Sequence, residues 1–277
     1  MKKIKKIKKQ NLKPKKFIKS YKTTKVVKSK SQKNQIGEVI ESLSSGEMQI
    51  VNFTNENDIQ VKFKTGAIIK TTYQNFKNGK VRDPTIKNIF GVGFHGIGEY
   101  RPTVNGVLTP EYKAWYKMVQ KCHNPYFLNK HPEYINATVC TYWQNFQNFA
   151  EWFQKEGYEL LDEGVHLNKN IIKKNNLVFC PEYCSFVPSS VLSAVVNKSK
   201  KVEFPEGIIF LPKTNKYQVN HGGKNLGNFP DPLKAFTVYK KAKEARIRMI
   251  VEKYREVLSV KVYDSLMKYS IQLSDCQ

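Results

Sequence analysis

Between Gln35 and Pro84 apolar and polar residues alternate in short runs. MQIVNF (Met48 to Phe53) and DIQVKF (Asp58 to Phe63) each place every second side chain on one face, which predicts two half-buried strands. The residues Thr54 to Asn57 between them suit a hairpin loop. AIIKTTYQNF follows Gly66 as a further run and Gly79 closes the set, so residues 35–84 are expected to form a small antiparallel sheet or open barrel.

From Tyr112 the period becomes helical. Tyr112, Trp115, Tyr116, Val119 and Cys122 fall on one face, and Asn124-Pro125 ends the run. A second helix is expected from about Trp143 to Lys155, with Phe146, Phe149, Ala150 and Phe153 as its buried stripe and Gly157 as its stop signal. All three tryptophans (Trp115, Trp143, Trp152) and four of the five cysteines lie between Tyr112 and Pro188, which marks a packed core. After a linker at Lys200 to Glu206 come three further strand-like runs, GIIF from Gly207, KYQVN and NLGNF, joined by the turn HGGK (His221 to Lys224). Asp231-Pro232 then opens a helix. From Lys240 to Ser270 alternating charges predict a long helix or a helix pair.

The fold expected is a multidomain α+β chain. Its parts are a small antiparallel β-domain, an aromatic-rich α+β core, and a C-terminal three-stranded sheet plus helix. The segments are 1–34, 35–84, 85–200, 201–253 and 254–277.

Charge then separates the function classes. The formal net charge is +24, and 15 of those excess charges are lysines between Lys2 and Lys33, with no acid before Glu38. Met1 to Asn34 has too little apolar surface to offset its ordering entropy and is expected to be a disordered basic arm. Such an arm neutralises phosphates and releases counterions, giving salt-dependent affinity for nucleic acid. Anionic membrane is the competing partner, but the chain has no apolar run long enough to span a bilayer, and its opening KKIKKIKK lacks the apolar stretch of a secretory signal. Five cysteines, an odd number, point to a reducing compartment, the cytoplasm.

GVGFHGIGEY (Gly91 to Tyr100) contains a formal G-x-G-x-x-G, but Arg101-Pro102 follows where a dinucleotide site needs a helix. The expected use is a hinge, or a loop lying along a DNA backbone. Cys180 and Cys184, with Cys140 and Cys122, make a formal set of four zinc ligands, but paired C-x-x-C spacing is absent and free cysteine is a common core residue.

Three elements in order carry a resemblance: Tyr112-x-x-Trp115-x-x-Met118-x-x-x-Cys122, then Val139-Cys140-x-x-Trp143-x-x-Phe146-x-x-Phe149, then CPEYCSFVP. Together they resemble phage HNH-type homing endonucleases over about Phe90 to Asn197, and the strand-rich segment ending GKVRDP resembles a module that precedes this core in phage proteins. The resemblance implies a metal-dependent nuclease in which acids hold Mg²⁺ and a histidine activates water. Here HLNKNIIKKNN places His166 where a base would stand and Asn168 and Asn170 at the positions that match the acids. Neutral amides bind Mg²⁺ weakly. Asp162 or Glu163 is the substitute ligand a surviving site would need, while Lys169, Lys173 and Lys174 suit phosphate contact.

Gly207-Ile208, Lys216-Tyr217-x-Val219, Leu226-Gly227-x-Phe229 and Ala235-x-x-x-Tyr239 resemble the DNA-binding domain of plant ethylene-response factors, the Apetala-type domain. Strand alternation independently puts Tyr217 and Val219 against Ala235, Phe236, Tyr239 and Ala242. The opposite face presents Lys216, Gln218 and Asn220, with Lys213, His221 and Lys224 at the loops. Such a ribbon fits the major groove.

The function expected is therefore sequence-specific double-stranded DNA binding by a cleavage-impaired homing-endonuclease derivative, a repressor or occluding factor associated with the nucleoid of a bacterial host. No membrane partner, small-molecule substrate or cofactor is expected. The alternative is an active Mg²⁺-dependent HNH endonuclease, and a weaker third reading is an RNA- or ribosome-associated basic protein.

Overall fold

The structure, a computed structural model, describes residues 35–156, 164–195 and 207–273. The basic arm, Asp162, Glu163 and the linker at 200–206 lie outside the described residues. The fold is multidomain α+β and the chain divides into two compact units, one ending at Val81 and one beginning at Arg82.

In the first unit β1 (Val39–Ser42), β2 (Gly46–Asn55), β3 (Asp58–Phe63) and β4 (Ile68–Thr71) form an antiparallel meander, followed by α1 (Tyr73–Lys77). Alternation buries Met48 and Ile50 in β2 and Ile59, Val61 and Phe63 in β3. A bulge between Ile50 and Asn52 shifts the phase of β2 by one, which brings Phe53 onto the same face, and Phe76 of α1 closes this core. Two expectations need correction. Thr54 and Asn55 continue β2, so the hairpin loop is the pair Glu56-Asn57, with Asn57 N–H held by Asn55 Oδ1 at 2.9 Å. The run after Gly66 does not stay extended, because Thr72 Oγ1 accepts from Asn75 N–H and caps α1.

The second unit starts with a loop and the short pair β5 (Thr103–Val104) and β6 (Val107–Leu108), then α2 (Pro110–His123) and α3 (Pro125–Lys130). Asn124 ends α2 and caps α3 by accepting from Phe127 N–H at 3.1 Å, with Pro125 in the first turn. β7 (Thr138–Val139), α4 (Thr141–Gln144) and α5 (Phe146–Glu156) follow. The helix expected from Trp143 is therefore broken at Asn145. There Phe94 N–H donates to Gln144 O and Phe146 N–H to Phe94 O, so the loop takes the hydrogen bonds that would have continued the helix.

β8 (Val165–Asn168) pairs antiparallel with β10 (Ser185–Pro188), and β9 (Val178–Phe179) pairs parallel with β7. The Val-Cys-x-x-Trp segment and the Phe-Cys-Pro segment thereby lie side by side over one core of Trp115, Trp143, Phe146, Phe149, Trp152 and Phe153. Trp115 is fully buried and donates its indole N–H to Trp143 O at 2.7 Å.

α6 (Ser189–Val195) precedes β11 (Ile208–Leu211), β12 (Lys216–His221) and β13 (Lys224–Phe229), then α7 (Pro232–Lys253) and α8 (Val260–Met267). The expected helix pair from Lys240 is α7 with α8. Asp231 caps α7 by accepting from Leu233 N–H at 2.9 Å. The amino-terminal half of α7 packs on the sheet through Ala235 and Tyr239. Its other half buries Ile247 and Val251 with Ile171, Val187 and Val191 of the preceding segment and with Val262 and Leu266 of α8. A hydrophobic core thus crosses the expected boundaries at 200 and 253, because 22 helical residues, about 33 Å, reach past one small sheet. Among the described residues no helix is long and apolar enough to cross a membrane.

The glycine-rich loop is a packed element and not a hinge. Gln147 of α5 donates through Nε2 to His95 O (3.1 Å) and Tyr100 O (2.9 Å) and accepts from Tyr100 N–H (3.0 Å). Gly98 is required there, since a Cβ would overlap the Gln147 amide. Gln147→Ala should leave these polar groups unpaired and destabilise the second unit by about 1–3 kcal/mol. Urea unfolding, with amide exchange at Tyr100 rising before global exchange, checks this expectation.

Candidate nucleic-acid interface

Two groups of candidate residues occupy different places in the second unit, one on the β8–β10 hairpin and one on the C-terminal sheet. On the hairpin, His166 is exposed and its Nε2 lies 3.0 Å from Ser189 Oγ. Ser189 gives its hydroxyl proton to Gly164 O at 2.6 Å, so the imidazole Nε2–H is the donor in the pair and Nδ1 is the acceptor nitrogen of the ring.

Asn168 Oδ1 accepts from Asn170 N–H (2.8 Å) and Ile171 N–H (3.0 Å) and so caps the turn that leaves β8. Asn170 Oδ1 accepts from the Lys169 ammonium at 3.0 Å. Both amide oxygens that match the acids of the nuclease motif are committed to local structure. Among the described residues no group of three His, Cys, Asp or Glu side chains is placed to hold a metal ion.

Lys169 corrects an expectation. Its side chain is buried, not turned to solvent, and its ammonium also donates to Asn176 O beside the Phe179 ring. Burial lowers its proton affinity from the usual lysine value, and neighbouring Cys122 and Cys184 act in the opposite direction. Lys173 and Lys174 are exposed, with their ammonium groups over the rings of Tyr183 (4.7 Å) and Tyr269 (6.0 Å). Cys122, Cys180 and Cys184 are buried free thiols and Cys140 is half-buried. Burial pushes the Cys122 thiol up to about 12 and raises that of Cys184 as well.

On the C-terminal sheet, β12 is central, and register fixes the faces. Ile208 pairs with Val219 on the helix side, while Ile209, Gln218 and Asn228 form one row across all three strands on the other side. A bulge shifts the register after Val219, where Gly227 has φ 122° and its N–H donates to Asn225 Oδ1. That extra residue keeps Leu226 packed with the core and leaves Asn225 exposed, paired with Asn220. Lys213, Lys216 and Lys224 are exposed, and Gln218 and Asn220 are partly so.

His221 is placed differently from its expected loop position at the interface. Its ring meets Tyr239 edge-on at 5.6 Å, on the side of α7, and its Nε2 is buried without a hydrogen-bond partner. Burial, then Arg246 and Lys243, lowers its proton affinity, so it is neutral and structural at pH 7. Ile209, 49% exposed, and the exposed Asn228 were not among the expected contact residues. The alternation within GIIF and NLGNF is the signal that points to them.

From Gly207 to Pro230 the sequence has no acid and three lysines. The sheet face can therefore approach a polyanion without like-charge repulsion from its own strands, and its amides offer paired donors and acceptors. Comparison of the chain with protein-family models, curated proteins and solved structures returns no match.

Lys169→Met removes the buried ammonium at similar length. Because the unfolded chain keeps this proton to higher pH than the folded one, the native protein should gain stability relative to the variant as pH rises toward the ordinary lysine value, about 10.4. Paired urea titrations at about pH 7 and about pH 9.5 check the sign.

Proposed function

We propose that this chain binds double-stranded DNA sequence-specifically and derives from a phage HNH-type homing endonuclease whose cutting site has been lost. The C-terminal sheet reads bases in the major groove. Lys173 and Lys174 on the hairpin hold phosphates, and the lysine arm adds affinity without sequence preference. A protein of this kind acts by occupying its site, as a repressor or occluding factor, on the nucleoid of a bacterial host.

The observation that carries the reading is the acid-free outer face of the C-terminal sheet, where Lys216, Gln218, Asn220 and Asn228 stand opposite the face packed on α7. Its three strands span about 10 Å, within the roughly 12 Å width of the major groove. The hairpin supports binding over cleavage by its donor chemistry. Mg²⁺ requires hard, preferably anionic oxygens, and the two matching positions carry neutral amides already engaged by backbone N–H and by Lys169. The residues at these two positions do not fit the metal.

Gln218→Ala should weaken discrimination at its base pair by about 1–3 kcal/mol, while deletion of residues 2–33 should weaken all duplexes alike and reduce the slope of log K against log salt. Fluorescence anisotropy on a preferred and a scrambled duplex across a salt series separates the two effects, and equal losses from both changes would contradict the division of labour. Full-length protein with Mg²⁺ should leave supercoiled plasmid intact at concentrations that shift it on a gel. Nicking that disappears in His166→Ala would restore the nuclease reading.

A further inference from the structure

From the row Ile209–Gln218–Asn228 we infer that the sheet selects A·T base pairs, reading adenine through the two amides and the thymine methyl through isoleucine. This rests on the duplex-binding reading above and specifies the bases it takes. Register places the three residues side by side across β11, β12 and β13, and the row is open: Ile209 is 49% exposed and Asn228 is exposed. Among the described residues neither the Gln218 nor the Asn228 amide makes a side-chain hydrogen bond.

The chemistry of the row separates the four base pairs. A glutamine or asparagine amide makes a bidentate pair with adenine N6 and N7, whereas guanine offers two acceptors there and asks for arginine or lysine. The central row holds neither cation. A half-exposed isoleucine beside the amides in the same row gains from apolar contact, and the thymine C5-methyl is the apolar group the major groove offers. Lys216 lies two residues from Gln218 along β12, about 6.8 Å or two base-pair steps away, so any preference for guanine belongs at the flank.

Binding selection with the full chain on random duplex DNA, at about 150 mM salt, tests this. The expected result is one enriched motif with at least two adjacent A·T pairs at its centre. Exchange of those pairs for G·C should cost about five- to a hundredfold in affinity. Replacing the central thymines by deoxyuridine removes only the methyl groups and should cost about fourfold for each methyl contacted, a loss that vanishes in Ile209→Ala. Ile209 is at the surface, so that variant keeps the core intact. An enriched motif with a G·C centre would overturn the A·T assignment and leave sequence-specific DNA binding standing. Selection without any motif would overturn both, and indifference of the native protein to uracil would overturn the role of Ile209.

Discussion

α7 is a single helix buried in two cores, and this constrains everything the C-terminal half of the chain does. Ala235 and Tyr239 close the three-stranded sheet, while Ile247 and Val251, about two to three turns further on, close the core shared by the β8–β10 hairpin, α6 and α8. A helix cannot bend sharply between these contacts without a proline, a paired glycine or an inserted group to break its ladder, and none lies between Tyr239 and Ile247. The tail reinforces the arrangement. Ile271 is buried, its N–H donates to Glu244 at 3.0 Å and its carbonyl accepts from Lys240 at 2.6 Å, both residues of α7. Sheet and hairpin are thus parts of one body. In the proposed function, bases read by the first and phosphates held by the second lie at one fixed offset.

Much of this was legible along the chain wherever one face of an element meets a core and the other meets water. β2, β3 and β12 follow from period-two alternation, and α2 follows from the spacing of Trp115, Val119 and Cys122, because burial selects those periods directly. The departures arise where a distant residue competes for local hydrogen bonds. Asn145 would extend a helix on local preference alone, but Phe94, some fifty residues earlier, takes its neighbours' backbone groups. Gln147 similarly turns a glycine-rich run that reads as flexible into a fixed loop.

The candidate site divides the same way. Lys216, Gln218 and Asn220 lie on the outer face because strand alternation alone puts them there. His221 is the last residue of the same strand, and the alternation that carries Tyr217 and Val219 inward also turns it against Tyr239. Lys169 looks like one more surface lysine in a basic run. Its burial depends on Asn176, whose side chain also donates to Lys169 O (2.9 Å) and Val178 O (2.7 Å), closing a loop that composition does not reveal. Ile209 and Asn228 become a row with Gln218 only once the register of three strands is known.

The amides at 168 and 170 bear on grip as well as on cutting. An aspartate at either place could make the same local bonds as acceptor, to the turn amides in one case and to Lys169 in the other, so the fold does not require the uncharged form. The difference is net charge. Two carboxylates beside a phosphodiester, without a cation between them, repel it over distances comparable to the Debye length, about 8 Å at physiological salt. With amides there, the exposed Lys173 and Lys174 act on phosphate without that opposition. Under the proposed function, one pair of neutral side chains both withholds the anionic donors that Mg²⁺ prefers and leaves the hairpin's attraction for a phosphate backbone unopposed. In this reading, loss of cleavage and gain of hold are a single electrostatic change.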